Sequence, residues 1–125
     1  MTSLHHAITV LLVEDQDALR AITCRILERE GFRVLTAEDG GVALEVLDHY
    51  GKEVNVLLSD VAMPDMDGIT LAQHVRTRFP DIKVILMSGY CVAALEEFGA
   101  TPWLDTIMLK PFTADALVAA VRKAA

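Results

Sequence analysis

Cysteine is scarce in this chain. Cys24 and Cys91 are its two thiols, too few and too far apart for a disulfide framework or a Cys-x-x-Cys metal site. Both are expected to be reduced, with Cys24 packed on a helix as a small hydrophobe. Histidine clusters are absent too: His49 and His74 are isolated and His5-His6 sit near the N-terminus, so a histidine metal site is not expected and all four should be solvated. Long apolar runs are also lacking. Stretches such as residues 8–13 and 84–87 fall far short of the roughly 20 residues a membrane helix needs. Met1-Thr2-Ser3-Leu4-His5-His6 has no basic region followed by an apolar stretch, so it does not read as a secretion signal. A cytoplasmic location without membrane attachment is expected. Basic charge is in deficit, with 11 Lys and Arg against 18 Asp and Glu and a formal net charge of -7. That removes the electrostatic footprint for nucleic acid, and direct DNA binding is not expected. No linker divides the 125 residues, so one domain is expected over residues 8–125, with residues 1–7 as a flexible N-terminal tail.

What is present is enough apolar material for a core, 53% of residues, mixed with 23% charged residues, a balance unlike that of disordered chains. Thr9-Val10-Leu11-Leu12-Val13 is a continuous apolar, β-branched run of the kind buried on both faces of a parallel sheet. From residue 17 to 30 the period changes: Leu19, Ile22, Ile26 and Leu27 share a helical face that is expected in the core, and Gly31 supplies a stop. The alternation repeats with a strand at 33–36 and a helix at 39–50, in which Ala43, Val46, Leu47 and Tyr50 point inward and Gly51 terminates. A strand at 54–59 precedes a turn-rich loop at 63–68 and a helix at 68–79 with Leu71, Ala72, Val75 and Phe79 inward, ended by Pro80. A strand at 83–87 is followed by a short helix carrying Val92, Ala93, Leu95 and Phe98 and closed by Gly99. A strand at 106–109 and a last helix complete the pattern, the helix N-capped by Thr113 with Leu117, Ala120 and Val121 inward.

Five such units predict a flavodoxin-like, doubly wound α/β fold, a (βα)5 with a five-stranded parallel sheet in the order 2-1-3-4-5. Its ligand site falls at the carboxyl ends of strands 1 and 3, where the winding reverses. At that rim stand Glu14-Asp15 after strand 1, Asp60 after strand 3, Ser88 after strand 4 and Lys110-Pro111 after strand 5. Three converging carboxylates repel one another unless a cation sits among them, and an all-oxygen ligand set suits Mg²⁺ rather than Zn²⁺. Lys110 adds a fixed positive charge and Ser88 a hydroxyl donor. A metal, a lysine and a hydroxyl around one carboxylate make a phosphoryl-transfer site with an aspartyl-phosphate product.

The segments Leu12-Val13-Glu14-Asp15, Leu58-Ser59-Asp60-Val61-Ala62-Met63-Pro64-Asp65-Met66-Asp67-Gly68, Leu86-Met87-Ser88-Gly89-Tyr90 and Leu109-Lys110-Pro111-Phe112 together resemble the receiver domains of two-component response regulators. The resemblance runs from about Ile8 to Lys123. It implies a phosphoacceptor switch in a phosphorelay, in which Asp60 takes a phosphoryl group from a histidine kinase or a histidine phosphotransfer protein. It further implies that Asp15 holds Mg²⁺, or Mn²⁺, directly and Glu14 holds it through water, with Asp60 and the backbone carbonyl of Ala62 as the other protein ligands. Lys110 would pair with the phosphoryl oxygens, Ser88 would hydrogen-bond to one of them, Gly68 would open the turn into helix 3, and the cis bond of such domains would fall at Lys110-Pro111. On this reading the chain phosphorylates and dephosphorylates itself and is not a turnover enzyme. The Ser88-Gly89-Tyr90 form resembles receivers attached to hybrid histidine kinases and some stand-alone ones. With no effector domain after Ala125, the output is expected to be a protein contact with an unknown partner or to lie on another part of a parent chain.

The chain departs from that pattern at Ile107, where many receivers carry Tyr or Phe three positions before the lysine. Ala62 offers only a methyl group beside the site, whereas Tyr90 could shield it. Asp65 and Asp67 are read as turn residues bonded to local backbone rather than as further metal ligands, and Trp103 as a half-buried cover residue. Among other classes, an Mg²⁺-dependent phosphatase or phosphotransferase with an aspartate nucleophile would carry a second acid two residues after it, and Ala62 is not one. A module binding flavin mononucleotide would place Ser, Thr or Gly after strand 1, where Glu14-Asp15-Gln16-Asp17 would repel phosphate.

Overall fold

The computed structural model describes residues 7–97 and 99–125. Strands and helices alternate as β1 (Thr9–Val13), α1 (Asp17–Arg29), β2 (Arg33–Ala37), α2 (Gly40–Tyr50), β3 (Val56–Asp60), α3 (Gly68–Arg78), β4 (Lys83–Ser88), α4 (Val92–Glu97), β5 (Ile107–Leu109) and α5 (Ala114–Ala124), with a 3₁₀ turn over Thr101–Thr106. The strands pair in parallel in the order β2-β1-β3-β4-β5. The winding therefore reverses between β1 and β3, and the carboxyl ends of those strands flank the reversal.

Strand alternation sorts the apolar residues into two layers. Leu11 and Val13 of β1, Leu57 of β3 and Val84 and Leu86 of β4 pack with Leu47 of α2, Leu71 and Val75 of α3 and Leu95 of α4. Val10, Leu12, Val56, Leu58, Ile85 and Met87 point to the other face, against Leu27 of α1 and Leu117, Val118 and Val121 of α5. Every residue of β1 and β3 is buried, and their apolar stretches, residues 10–13 and 56–58, cover both faces of the sheet before β3 ends in Ser59 and Asp60. Gly31 and Gly99 take φ of +92° and +85°, left-handed conformations that stop α1 and follow α4 at the positions where glycine is tolerated best.

The structure corrects several inward placements. Leu19 is 39% and Ile22 56% exposed, and Ile26 is only partly buried, so the stripe expected in the core is not there. Leu27 is the buried residue of α1, with Cys24 packed on the same layer. Leu19 and Ile26 instead line an open groove of about 290 Å³ against Pro111, Phe112 and Leu117; the gap between α1 and the segment entering α5 is not closed at this end. Tyr50, the last residue of α2, is exposed beside His49. Helix α3 stops at Arg78, and Phe79 beyond it is partly buried, its ring so close to Gly51 that a Cβ there would lie 2.5 Å away. In α4 Leu95 is buried but Ala93 is exposed, while Phe98 and the tail residues 1–6 lie outside the described residues. Trp103 is buried rather than half-covered, and Thr106 closes the 3₁₀ turn instead of opening β5. Among the described residues no helix is long and apolar enough to cross a membrane.

Candidate functional site

Asp60 is the last residue of β3 and is 5% exposed. Its strand position puts it beside Met87 of β4, and the chain turns away immediately after it. The turn is anchored by Val61 N donating to Met87 O at 2.9 Å and by Gly68 N donating to Val61 O at 2.8 Å. Gly68 has to be glycine at this spot: a Cβ would sit 2.2 Å from the carbonyl oxygen of Asp60. The Asp60 carboxylate receives Lys110 Nζ on Oδ2 at 3.1 Å and the N–H of Ala62 on Oδ1 at 3.4 Å.

Glu14 and Asp15 leave β1 at the same rim. Glu14 is 3% exposed, with its N–H donating to Ala37 O at 3.1 Å, its Oε2 accepting from Gln16 N at 3.2 Å and its Oε1 3.7 Å from Lys110 Nζ. Burial pushes its carboxyl above the ordinary range and the charge of Asp60 adds to this, while the Gln16 N–H and Lys110 oppose. Glu14, Asp15 and Asp60 can each bring one carboxylate oxygen to within 4.8 Å of the others. Three carboxylates face one ammonium, and two of the three acids are buried. Hard oxygen donors with excess negative charge fit a hard divalent cation.

Ser88 ends β4 almost completely buried. Its hydroxyl accepts from Tyr90 N at 2.9 Å and its carbonyl from Lys110 N at 2.7 Å, so the lysine, one residue past β5, is tied to the end of the strand carrying the hydroxyl. The Lys110-Pro111 bond is cis, as expected. Over the rim opens a cavity of about 430 Å³ lined by Asp15, Ala62, Met63, Pro64, Ile69 and Tyr90 among others. The elements thus bring together Glu14, Asp15, Asp60, Ser88 and Lys110, all read from the sequence, with Ala62 at the edge.

Asp65 and Asp67 are not part of the cluster. Asp65 has φ +66° in the turn, and Asp67 caps α3 by accepting from Thr70 N at 2.7 Å, so Asp67 serves the local backbone as expected. Ile107 pairs with Leu86 and packs on the core. Helical spacing misses Arg20, since it leaves that residue off the apolar face of its helix. Arg20 donates from Nη1 to the carbonyl oxygen of Glu14 at 2.8 Å and from Nη2 to Asp17 Oδ1 at 2.6 Å. The i,i+3 spacing of Asp17 and Arg20 is the part of that signal visible in sequence; the reach back to Glu14 is not.

The chain matches the family model described as the response regulator receiver domain over residues 10–122. It is 40% identical to the sensor kinase CckA of Brucella abortus (strain 2308) over 98% of its own length but 13% of the kinase. It is 32% identical to the response regulator receiver protein CpdR of the same organism, over 91% of this chain and 93% of that protein. Among solved structures, a CheY-like response regulator receiver domain protein from Methanospirillum hungatei JF-1 superposes with a TM-score of 0.84 at 27% identity, covering 94% of this chain and 93% of that one.

Proposed function

The chain belongs to the receiver-domain family of two-component response regulators, and from that premise we propose that Asp60 is the residue that accepts the phosphoryl group. The observation that carries the reading is the position of a buried Asp60 carboxylate 3.1 Å from Lys110 Nζ, within one cluster with Glu14 and Asp15. The donor fitting the family is a phosphohistidine of a histidine kinase or a histidine phosphotransfer protein. An Asp60 oxygen attacks phosphorus, the new P–O bond forms as the P–N bond breaks, and the imidazole leaves with the bonding pair.

Glu14, Asp15, Asp60 and the backbone carbonyl of Ala62 would hold Mg²⁺, or Mn²⁺ in its place. When bound, the ion neutralises charge on the phosphoryl oxygens. Lys110 contributes to the same neutralisation, since its ammonium already lies between Asp60 and Glu14. Ser88 would donate its hydroxyl hydrogen to a phosphoryl oxygen, a bond its oxygen can make while still accepting from Tyr90 N. The added charge of about -1.5 to -2 in an acidic rim is the trigger, and α4, β5 and α5 form the face whose contacts change. The domain acts as a switch rather than as a turnover enzyme, in the cytoplasm and through protein contacts; a net charge of -7 disfavours direct contact with DNA. An aspartate-based phosphatase is disfavoured by Ala62, which stands where a second acid would be needed.

Intact-mass analysis after treatment with a small phosphodonor and Mg²⁺ tests the assignment. Wild type should gain one phosphoryl group and Asp60→Asn none. Equal gain by both proteins, or no gain by a folded wild type, would remove Asp60 from the role.

A further inference from the structure

Helices α2, α3 and α5 begin with side-chain caps, from Asp39 to Val42 N, Asp67 to Thr70 N and Thr113 to Ala116 N. Helix α1 has no such cap, for Gln16 at that position makes no side-chain hydrogen bond to the helix. Its start is tied to β1 by contacts that run backward over the turn. Glu14 Oε2 accepts from Gln16 N, and Arg20 reaches across the first turn to the carbonyl oxygen of Glu14 at 2.8 Å. The other arm of the same guanidinium holds Asp17 Oδ1 at 2.6 Å. Asp17 is 88% exposed, so that ion pair adds little stability; its effect is to fix the plane of the guanidinium while the first arm grips Glu14.

The grip matters because of what it holds. The carbonyl oxygen of Glu14 belongs to the rigid peptide plane that ends at the Cα of Asp15. Fixing that oxygen therefore fixes the direction in which Asp15 leaves the strand. Glu14 is already anchored through its N–H to Ala37 and through both carboxylate oxygens, whereas the peptide leading into Asp15 is held by Arg20. We propose that Arg20 is a positioning residue of the divalent-metal site, holding the Glu14-Asp15 peptide so that the Asp15 carboxylate stays on the cluster. The inference rests on the reading of that cluster as a metal site. Only a forked side chain can do this, because its two arms bridge Glu14 O and Asp17 at once, which a lysine ammonium on a flexible stem cannot reproduce.

Free Mn²⁺ counted by electron paramagnetic resonance gives the dissociation constant for wild type, Arg20→Ala and Arg20→Lys, with metal-free melting curves run alongside. Loss of an outer partner of a metal ligand weakens affinity about tenfold or more, and that is the change expected for Arg20→Ala, with Arg20→Lys close to it. Phosphorylation by a small phosphodonor should recover in both variants when Mg²⁺ is raised in proportion. A variant that melts earlier yet binds Mn²⁺ as wild type does would reduce Arg20 to a structural role and overturn the inference. Should Arg20→Ala fail to fold, Arg20→Lys decides alone, and wild-type affinity there overturns the inference as well. If wild type itself binds no Mn²⁺, the metal reading of the cluster falls first and this inference with it.

Discussion

At the scale of single residues the site depends as much on what is missing as on what is present. Gly68 has no Cβ, and one placed there would stand 2.2 Å from the Asp60 carbonyl oxygen and 3.0 Å from Val61 Cα, backbone atoms that cannot rotate away. Gly68→Ala must shift the turn that sets the Asp60 carboxylate, at a cost of about 1–3 kcal/mol of overpacking. Urea unfolding should register that loss, and phosphoryl gain by intact mass should fall by more than the folded fraction does. An alanine variant of wild-type stability would show that the turn relaxes freely. A glycine at the opening of this turn is legible in the sequence but its reason is not, because the obstacle is the backbone of a strand eight residues earlier. Arg20 is hidden for a similar reason: its partner Glu14 lies across a strand-to-helix turn whose geometry no helical spacing describes.

At the scale of elements, alternation of apolar strands with amphipathic helices is sufficient to place the five units and the rim residues. Strand carboxyl ends are legible to within one residue: β3 and β4 run through Asp60 and Ser88, each one residue beyond the end that the sequence pattern suggests. Helix faces are less so. Periodicity identifies an apolar stripe but not the neighbour that covers it, so it assigns Leu19 and Ile22 to a core, whereas both are exposed and Leu19 lines the open groove beside Pro111 and Phe112. Trp103 errs the other way. It sits in the 3₁₀ turn before β5, buried in the layer of Leu95 and Ala100, with the Arg76 guanidinium 4.8 Å from its ring centroid. Its indole Nε1 is buried without a hydrogen-bond partner among the described residues, so the ring contributes packing and its N–H contributes a penalty. Trp103→Ala should cost about 3–5 kcal/mol in chemical denaturation. Trp103→Phe should cost far less, because it keeps most of the ring and removes the orphaned donor. A loss for Trp103→Phe well beyond that of the trimmed ring would mean that the N–H is satisfied in solution.

At the scale of the whole molecule, the acidic cluster would couple folding to a divalent cation held there. Strand order brings β1, β3 and β5 to one rim, and with them three carboxylates and Lys110. The native fold holds these groups together and the unfolded chain does not, so a cation that needs all of them binds the native state preferentially. Such a ligand adds about 2.7 kcal/mol of stability at one hundred times its dissociation constant, on the order of 10 °C in melting temperature for a domain of this size. Mg²⁺ should therefore raise the melting temperature in a saturable way, and a monovalent salt of equal ionic strength should not. Glu14→Gln separates this effect from nonspecific screening. The amide can still accept from Gln16 N but brings no charge to a buried position beside Asp60, so the metal-free variant should melt at or above the wild-type temperature. Its rise with Mg²⁺ should shrink, since one negative charge of the cluster has gone. If Glu14→Gln instead melts lower without metal and keeps the full Mg²⁺ response, then Glu14 is held for its bond to Lys110 and not for a cation, and the ligand set reduces to Asp15, Asp60 and the Ala62 carbonyl.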